Sequence, residues 1–414
     1  MYANKKPPYC TGRINCGLCK DCVLSHISRE TEILADYDKT SVFYRSVKND
    51  HFIVDIGTTT LACEHIKDGR VIFSSTRLNS QSVYGADVVS RSEASIRGKR
   101  EELADLLKED LRALLKGSEK RPAKILIAGN TTIIHLLQGF DCSGLVNYPF
   151  TPVSLERQTG YIDDIPYETF PGISAYIGGD IAAGLYALGF HLNDKVCLFL
   201  DLGTNGEMAL GNRDRILVAS AAAGPAFEGT GLSNASDVIS MIASLVEKGI
   251  IDGEGLLKEE YFDEGFPYEV SSERLPGRPG AAEGGDGSSV LITQKDIRDI
   301  QMAKSAIYAG VELLIKNYGI SYDDIDKVYI SGGMGHSLDL RAAVTVDFID
   351  RELLKKTIIM GNTSLMGLAR YSCEGEDRES ADRIIRSSDE VILANEPDFG
   401  ALYFEHMSFG PPGE

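Results

Sequence analysis

The chain carries one short motif twice, and this repeat constrains the fold more than any other feature. Asp55-Ile56-Gly57-Thr58 follows the apolar run Phe52-Ile53-Val54, and Asp201-Leu202-Gly203-Thr204 follows Leu198-Phe199-Leu200, 146 residues later. Another apolar stretch follows each copy, so each predicts a strand, a tight turn and a second strand. The turn holds a carboxylate beside backbone N–H groups and hydroxyls, which suits Mg²⁺ and phosphate oxygens. Two such hairpins facing each other would grip a nucleotide from both sides.

The duplication extends beyond the hairpins. Lys124 to Gly129 and Lys327 to Gly332 are similar apolar strands that end in Gly. Each is preceded by an amphipathic pattern that predicts a helix, over Lys99 to Lys116 and over Asp296 to Tyr318. Each half therefore consists of a hairpin, a helix and a strand ending in Gly. The pattern predicts an α/β protein with a duplicated framework.

The same pattern predicts the domain organisation. Residues 1–47 form a Cys-rich segment and linker, which is too short to build a core of its own. The first repeat occupies residues 48–195 and the second occupies 196–414. The second repeat is longer, and its extra length is assigned to a loop-rich insertion near 250–292 because Gly, Pro, Ser and Glu are concentrated there.

Composition excludes several classes of partner. The 414 residues carry a formal net charge of −19, whereas nucleic acids and anionic membrane surfaces require a basic face. The segment from Met1 to Cys10 is polar and lacks the apolar core of a signal peptide. No run approaches the roughly 18 apolar residues of a membrane span. We therefore expect a cytoplasmic protein that binds neither nucleic acid nor membrane.

Four of the eight cysteines are concentrated near the start of the chain. Cys10, Cys16, Cys19 and Cys22 have the spacing C-x5-C-x2-C-x2-C. Thiolates so close together can converge on one iron–sulfur cluster or on one zinc ion. The spacing alone leaves both open, as well as a tail without metal.

A third element completes a nucleotide-binding pattern. Ser331 to Gly335 (Ser-Gly-Gly-Met-Gly) follows a buried-type strand, and its glycines allow close approach to a base and ribose. With the two Asp-x-Gly-Thr turns, this run resembles the superfamily of acetate and sugar kinases, Hsp70 and actin. The resemblance implies two ribonuclease-H-like domains with ATP and Mg²⁺ in the cleft between them.

Longer strings over about residues 50 to 400 give a narrower resemblance. They are Asn79-Ser80-Gln81, Tyr84-Gly85-Ala86-Asp87-Val88-Val89-Ser90-Arg91, Gly129-Asn130-Thr131-Thr132, Gly178-Gly179-Asp180, Leu202-Gly203-Thr204-Asn205-Gly206-Glu207, Ala223-Gly224-Pro225-Ala226-Phe227-Glu228-Gly229, Thr293-Gln294-Lys295-Asp296-Ile297 and Gly361-Asn362-Thr363-Ser364. Together they resemble the ATPases that reductively activate corrinoid proteins. This resemblance implies that ATP hydrolysis and domain closure drive an electron from a low-potential donor to a corrinoid protein or methyltransferase, taking Co(II) to Co(I).

The family resemblance also implies an iron–sulfur cluster, 4Fe–4S or 2Fe–2S, at the four leading cysteines. The chain departs from the family pattern there, since residues 1–47 are too few for a complete ferredoxin fold. No distant fourth cysteine precedes the first hairpin, and we expect Cys22 to take the place of that ligand. A homodimer is a candidate assembly.

The same motifs assign roles to individual residues. Asp55 and Asp201 are the expected Mg²⁺ ligands, because Mg²⁺ prefers one or two carboxylates with phosphate and water. Asp87, Asp180 and Glu207 are candidates to orient the attacking water, although Asp180 also fits a helix N-cap. The expected nucleotide contacts are Gly57, Thr58, Thr59, Thr60, Gly203, Thr204, Asn205, Gly206, Gly224, Glu228, Gly332, Gly333 and Gly335.

Two other functions fit the same framework. A small-molecule kinase would use Asp87 or Asp180 as its base, and the four cysteines would then hold a structural zinc. A nucleotide-gated interaction protein would use ATP only as a conformational switch. Iron and sulfide at the cysteines distinguish the redox hypothesis from both.

Overall fold

The computed structural model describes residues 48–203, 205–221, 235–270, 288–332 and 338–410. Strands and helices alternate along much of this length, so the predicted α/β class is confirmed. The strands are β1 (Asp50–Ile56), β2 (Thr60–Lys67), β3 (Arg70–Leu78), β4 (Lys124–Gly129), β5 (Thr159–Ile162), β6 (Ile165–Thr169), β7 (Cys197–Leu202), β8 (Gly206–Gly211), β9 (Ile216–Ala221), β10 (Phe266–Val270), β11 (Ser288–Ile292), β12 (Lys327–Ser331), β13 (Thr357–Ile359) and β14 (Ser388–Glu390).

The helices connect and cover these strands. They are α1 (Val88–Ala94), α2 (Arg100–Lys116), α3 (Thr131–Gln138), α4 (Ser143–Val146), α5 (Gly179–Ala187), α6 (Ala235–Glu247), α7 (Gln294–Tyr318), α8 (Leu340–Thr345), α9 (Thr363–Cys373), α10 (Arg378–Ser387) and α11 (Phe399–Glu405). None of the helices in the described part of the chain has both the length and the apolar content needed to cross a membrane.

Two six-stranded sheets carry the duplicated framework. Their strand orders are β3-β2-β1-β4-β6-β5 and β13-β12-β7-β8-β9-β14. Both predicted hairpins are present, as β1–β2 and β7–β8, and both Gly-ended strands, β4 and β12, lie beside the first strand of a hairpin. The central strand β1 buries Phe52, Ile53 and Val54 completely. This burial on both faces explains why the apolar run is continuous rather than alternating.

The two long helices confirm the amphipathic patterns. Helix α2 starts one residue after the predicted Lys99 and packs its leucines into the core of the first sheet. Helix α7 starts two residues before the predicted Asp296, because Thr293 is its N-cap. Thr293 and Asp296 exchange hydrogen bonds as a capping box. Gly319 ends α7 in the left-handed conformation, with φ of 82°.

The chain divides into two compact units that do not follow its order. Within the described residues, the first contains everything up to 197 together with 211–218 and 360–390. The second contains 198–210, 219–359 and 391–410. Helices α9 and α10 therefore belong to the first unit, although they follow most of the second along the chain. The domain boundaries at 48–195 and 196–414 stay a prediction.

The segment assigned to the loop-rich insertion contains regular structure as well. Strands β10 and β11 pair antiparallel, with Phe266 opposite Ile292 and Tyr268 opposite Val290. Residues 271–287, which hold most of the Gly and Pro, lie outside the described residues. The short runs on either side of these residues form the two strands. The sequence does not predict them, because the composition of the whole region is typical of a loop.

Within the first unit, helices α5 and α9 approach closely at a glycine. A Cβ built at Gly367 of α9 would lie 1.9 Å from the carbonyl oxygen of Ala183 in α5. That oxygen belongs to a buried backbone, which cannot move aside as a flexible side chain can. The absence of a side chain at position 367 therefore fixes how near the two helices pack.

We predict that Gly367→Ala lowers the free energy of unfolding by about 1–3 kcal/mol or more, the usual effect of overpacking a core. Gly400→Ala is the matched control, because Gly400 lies in α11 and a Cβ added there would have no atom within 4 Å. Alanine there should leave stability equal or raise it by about 0.5–1 kcal/mol. Urea unfolding of both variants measures the difference, and equal midpoints would contradict the close packing.

Candidate nucleotide site

The first aspartate lies at an edge of the first sheet where two parallel strands end. Asp55 is opposite Ala128 in the register of β1 with β4, and Ile56 is opposite Gly129. A Cβ at Gly129 would lie 2.9 Å from the carbonyl oxygen of Ile56. This edge therefore brings the β1–β2 turn next to the start of helix α3.

The turn after Asp55 is closed by its own backbone and by a side chain from elsewhere. The Gly57 N–H donates to the Thr60 carbonyl at 3.0 Å. The Asn79 side-chain amide donates to the Gly57 carbonyl at 3.0 Å, and the Asn79 N–H donates to the Thr59 carbonyl at 2.9 Å. Thr59 and Thr60 are exposed, whereas Thr58 is buried. The turn thus presents two threonines to solvent on a fixed backbone.

Two helix N-termini meet beside this turn. Asn130 caps α3 by accepting from the Ile133 N–H at 2.9 Å, and its amide donates to the Thr58 hydroxyl at 3.3 Å. A Cβ at Gly178, the N-cap of α5, would lie 2.4 Å from the Cα of Asn130. Helix N-termini favour anions, because free N–H groups and the helix dipole are directed at the ligand.

Asp180 lies in the first turn of α5 and is not its N-cap, which is Gly178. Its carboxylate accepts from the Ile181 N–H at 2.9 Å. The alternative of an N-cap at Asp180 is therefore excluded. A role in orienting water stays a prediction.

The Asp55 carboxylate is held by the N-terminus of helix α9. The Asn362 amide donates to Oδ2 at 2.7 Å, and the Ser364 hydroxyl donates to Oδ1 at 2.9 Å. Burial raises the pKa of the Asp55 carboxyl, and these two hydrogen bonds oppose that rise because they favour the ionised form. Both oxygens of this carboxylate therefore have a fixed donor.

The second aspartate lies beside the end of a neighbouring strand of its own unit. Asp201 is the penultimate residue of β7, and the Ser331 hydroxyl at the end of β12 donates to its Oδ2 at 2.6 Å. Gly332 follows with φ of 88°. A Cβ at Gly332 would lie 2.5 Å from the Leu202 carbonyl oxygen and 2.8 Å from Oδ1 of Asp201. Glycine is therefore required here both for its conformation and for its size.

The β7–β8 turn repeats the first turn in part. The Gly203 N–H donates to the Asn205 carbonyl at 3.0 Å. Gly206 packs on Ile307 of α7, where a Cβ would lie 2.7 Å from a side-chain carbon. Glu207 follows in β8 and is partly buried.

Several residues predicted from the sequence lie outside the described part of the chain. They are Cys10, Cys16, Cys19, Cys22, Thr204, Gly224, Glu228, Gly333 and Gly335. Among the described residues, no three His, Cys, Asp or Glu side chains converge as a metal-binding group.

Asp87 lies on the surface as the N-cap of α1. Its carboxylate accepts from the Ser90 N–H at 2.8 Å and from the Ser90 hydroxyl at 3.0 Å. The backbone hydrogen bond from Ser90 is the main cause that lowers the pKa of this carboxyl. Arg91 is fully buried and donates to the Gly85 carbonyl at 3.0 Å. Asp87 therefore has a structural role, and its catalytic role stays a prediction.

Four side chains that shape the site received no role from the sequence: Asn79, Asn130, Asn362 and Ser364. Two of them share a recognisable signal, because Gly129-Asn130 and Gly361-Asn362 each place an Asn N-cap directly after a glycine. An Asn in this position caps the helix with its oxygen and directs its amide N–H₂ group at a neighbour. The identity of that neighbour depends on the tertiary structure, so the local sequence does not specify it.

Comparison with family models covers nearly all of the described chain. A model described as the RACo middle region matches residues 52–193. A model described as the C-terminal domain of RACo, the ASKHA domain, matches residues 195–235 and 234–412. The expected duplicated fold of the kinase, Hsp70 and actin superfamily is thereby confirmed.

Individual relatives agree with these models. The chain is 28% identical to the corrinoid activation enzyme RamQ of Eubacterium limosum, over 94% of this chain and 77% of the relative. It is 31% identical to a Co(II) methylated amine-specific corrinoid protein reductase of Methanosarcina barkeri, over 59% of this chain but only 51% of the relative. A solved reductive activator for a corrinoid, iron–sulfur protein matches with a TM-score of 0.76 and 25% identity, over 88% of this chain and 66% of that one.

We predict that Gly332→Ala destabilises the protein more than Gly319→Ala does. Both glycines are left-handed, with φ of 88° and 82°, so each substitution carries a backbone strain of about 1–2 kcal/mol. Gly319 has open space around it, whereas a Cβ at Gly332 meets Leu202 and Asp201. The contact should cost about 1–3 kcal/mol more. Equal urea midpoints for the two variants would show that the end of β7 shifts to admit the Cβ with no loss of stability, which would contradict the prediction.

Proposed function

The chain belongs to the RACo family, and from that premise we propose that it is an ATP-dependent reductive activator of a corrinoid protein. The observation that supports this most directly is the matching setting of Asp55 and Asp201. Each carboxylate stands where a strand enters an Asp-x-Gly turn, and each accepts a side-chain hydrogen bond. The relatives are named for corrinoid activation and for reduction of a Co(II) corrinoid protein.

The residues at both turns suit a magnesium nucleotide. Asp55 and Asp201 offer hard carboxylate oxygens, and each oxygen keeps lone pairs beyond its hydrogen bond. Thr59, Thr60 and the N-termini of α3 and α5 offer donors to phosphate oxygens. Magnesium, when bound, neutralises charge on the phosphate oxygens during transfer. The chain's own task is then to hold phosphate and water in line.

Three carboxylates are proposed to orient the attacking water, namely Asp87, Asp180 and Glu207. Asp180 is supported best by position, because it lies in the first turn of α5, beside the capped start of α3. Asp87 already accepts two hydrogen bonds as an exposed N-cap. Positioning of this kind, rather than covalent chemistry, is the usual contribution of a protein to phosphoryl transfer.

The electron is proposed to enter through the Cys-rich segment. Cys10, Cys16, Cys19 and Cys22 form a donor set that suits an iron–sulfur cluster, which would supply one-electron transfer. One electron from a low-potential donor would take the partner's cobalt from Co(II) to Co(I). ATP hydrolysis supplies the free energy for this unfavourable step. The partner is proposed to be a corrinoid protein or a corrinoid-dependent methyltransferase.

We predict that Asp55→Asn and Asp201→Asn each lower the rate of ATP hydrolysis by at least about 100-fold, the usual effect of removing one electrostatic contact to the reacting group. Asp163→Asn is the control, because Asp163 is exposed in the β5–β6 turn with φ of 54°, a conformation that Asn tolerates well. A phosphate-release assay measures all three variants. Wild-type turnover in both test variants would mean that the site is misassigned.

We predict that protein purified without oxygen contains stoichiometric iron and sulfide, and that it converts a Co(II) corrinoid protein to Co(I) only with ATP and a low-potential reductant. Metal analysis measures the first, and the cobalt absorption spectrum measures the second. Stoichiometric zinc without iron or sulfide would contradict the redox function and favour a kinase with a structural zinc. Corrinoid reduction at full rate without ATP would contradict the coupling.

A further inference from the structure

Helix α9 reaches the first turn from a distant part of the sequence. Asn362 and Ser364 lie 307 and 309 residues after Asp55, and both donate to its carboxylate. They approach different oxygens, at 2.7 Å for Oδ2 and 2.9 Å for Oδ1. Two donors on two oxygens fix the rotation of the carboxylate plane, which a single donor leaves free.

Both donors are themselves held in place. The Asn362 side-chain oxygen accepts from the Leu365 N–H at 2.8 Å as the N-cap of α9, so its amide N–H₂ group is turned toward Asp55. Ser364 is 6% exposed. Gly367 packs directly on the Ala183 backbone, so α9 lies close against α5.

The two aspartates differ in the elements that supply their hydrogen-bond donors. Ser331, at the end of β12, supplies the hydroxyl that binds Asp201. The strand at the matching position in the first half is β4, where Ala128 stands opposite Asp55 in the register. Alanine has no donor. The donors to Asp55 come from α9 instead.

We propose that Asn362 and Ser364 are positioning residues, which orient the Asp55 carboxylate toward the magnesium ion and phosphates of the bound nucleotide. This inference rests on the proposed function, because it assumes that Asp55 meets the magnesium nucleotide. The two residues act through Asp55 and need no contact with the nucleotide. Their loss should therefore weaken the magnesium-dependent part of nucleotide binding and leave the magnesium-independent part intact.

The main test variant is Ser364→Ala, and Ser372→Ala is its matched control. Both serines lie on α9 and are buried, about 12 Å apart along the helix axis at 1.5 Å per residue. The Ser372 hydroxyl contacts Asn49 at 2.8 Å and His51 at 2.7 Å, near the start of β1. Each variant loses a buried hydroxyl, but only Ser364→Ala loses a donor to Asp55.

A second variant guards against a folding defect in the first. Asn362→Ser keeps a side-chain oxygen that can cap α9. The shorter side chain cannot extend an amide to Asp55. Melting temperatures of the full-length variants show whether each one folds as well as Ser372→Ala does.

Isothermal titration of ADP with and without Mg²⁺ measures the effect directly. We expect Mg²⁺ to strengthen ADP binding about tenfold less in Ser364→Ala and Asn362→Ser than in the wild type, as for loss of a hydrogen bond to a charged group. Ser372→Ala should match the wild type. The Mg²⁺ concentration for half-maximal ATP hydrolysis should rise in parallel in the two test variants.

The outcomes separate this inference from the proposed function. If Asp55→Asn loses the Mg²⁺ effect while Ser364→Ala and Asn362→Ser match Ser372→Ala, the positioning role is wrong and the site assignment stands. If Asp55→Asn keeps the full Mg²⁺ effect, the site assignment is wrong and the positioning role falls with it. A reduced Mg²⁺ effect in both test variants but not in Ser372→Ala supports the inference.

Discussion

The crossing of helices α5 and α9 is the constraint on which the first half of the molecule depends. Gly367 lets α9 pack against the backbone of Ala183. That contact holds α9 close to α5, and the residues at the start of α9, from its N-cap Asn362, bind the Asp55 carboxylate. Burial disfavours the ionised form of the Asp55 carboxyl and its two donors favour it, so the donors are part of what allows an ionised Asp55 there. The hydrogen bonds to Asp55 in the turn therefore depend on how α9 packs against α5.

A network of charges holds the returning segment at the other end of the same sheet. Glu168 of β6 is 4% exposed. Its Oε2 lies 2.5 Å from Nη2 of Arg378 and 3.1 Å from Nζ of Lys124. Lys124 also pairs with Glu376 at 2.5 Å. Glu168 is the most buried member of the network, and Arg157 also lies near it, with 3.8 Å between Nε and Oε1, so several cations compensate its charge. The network adds to the contacts of α9 that place residues 360–390 in the first unit, although the second unit precedes them in the sequence.

Local signals in the sequence predict much of this fold and less of the site. Apolar runs beside Asp-x-Gly turns predict both hairpins, and the amphipathic pattern predicts the start of α7 within two residues. These signals depend on neighbours in the chain. The donors to Asp55 come from more than 300 residues away, and no local pattern specifies that contact. The sequence does not predict strands β10 and β11 for another reason. Each strand is short, and the Gly- and Pro-rich residues between them make the whole region resemble a loop.

The duplication is therefore incomplete at the level of chemistry. Asp201 receives a hydroxyl from Ser331 of β12, which lies within its own unit. Asp55 faces Ala128 at the matching position and depends on Asn362 and Ser364. The first site therefore combines β1 with residues that follow most of the second unit in the sequence. The hydrogen bonds that favour the ionised form of Asp55 come from residues more than 300 positions away, so the first site depends on long-range packing of α9.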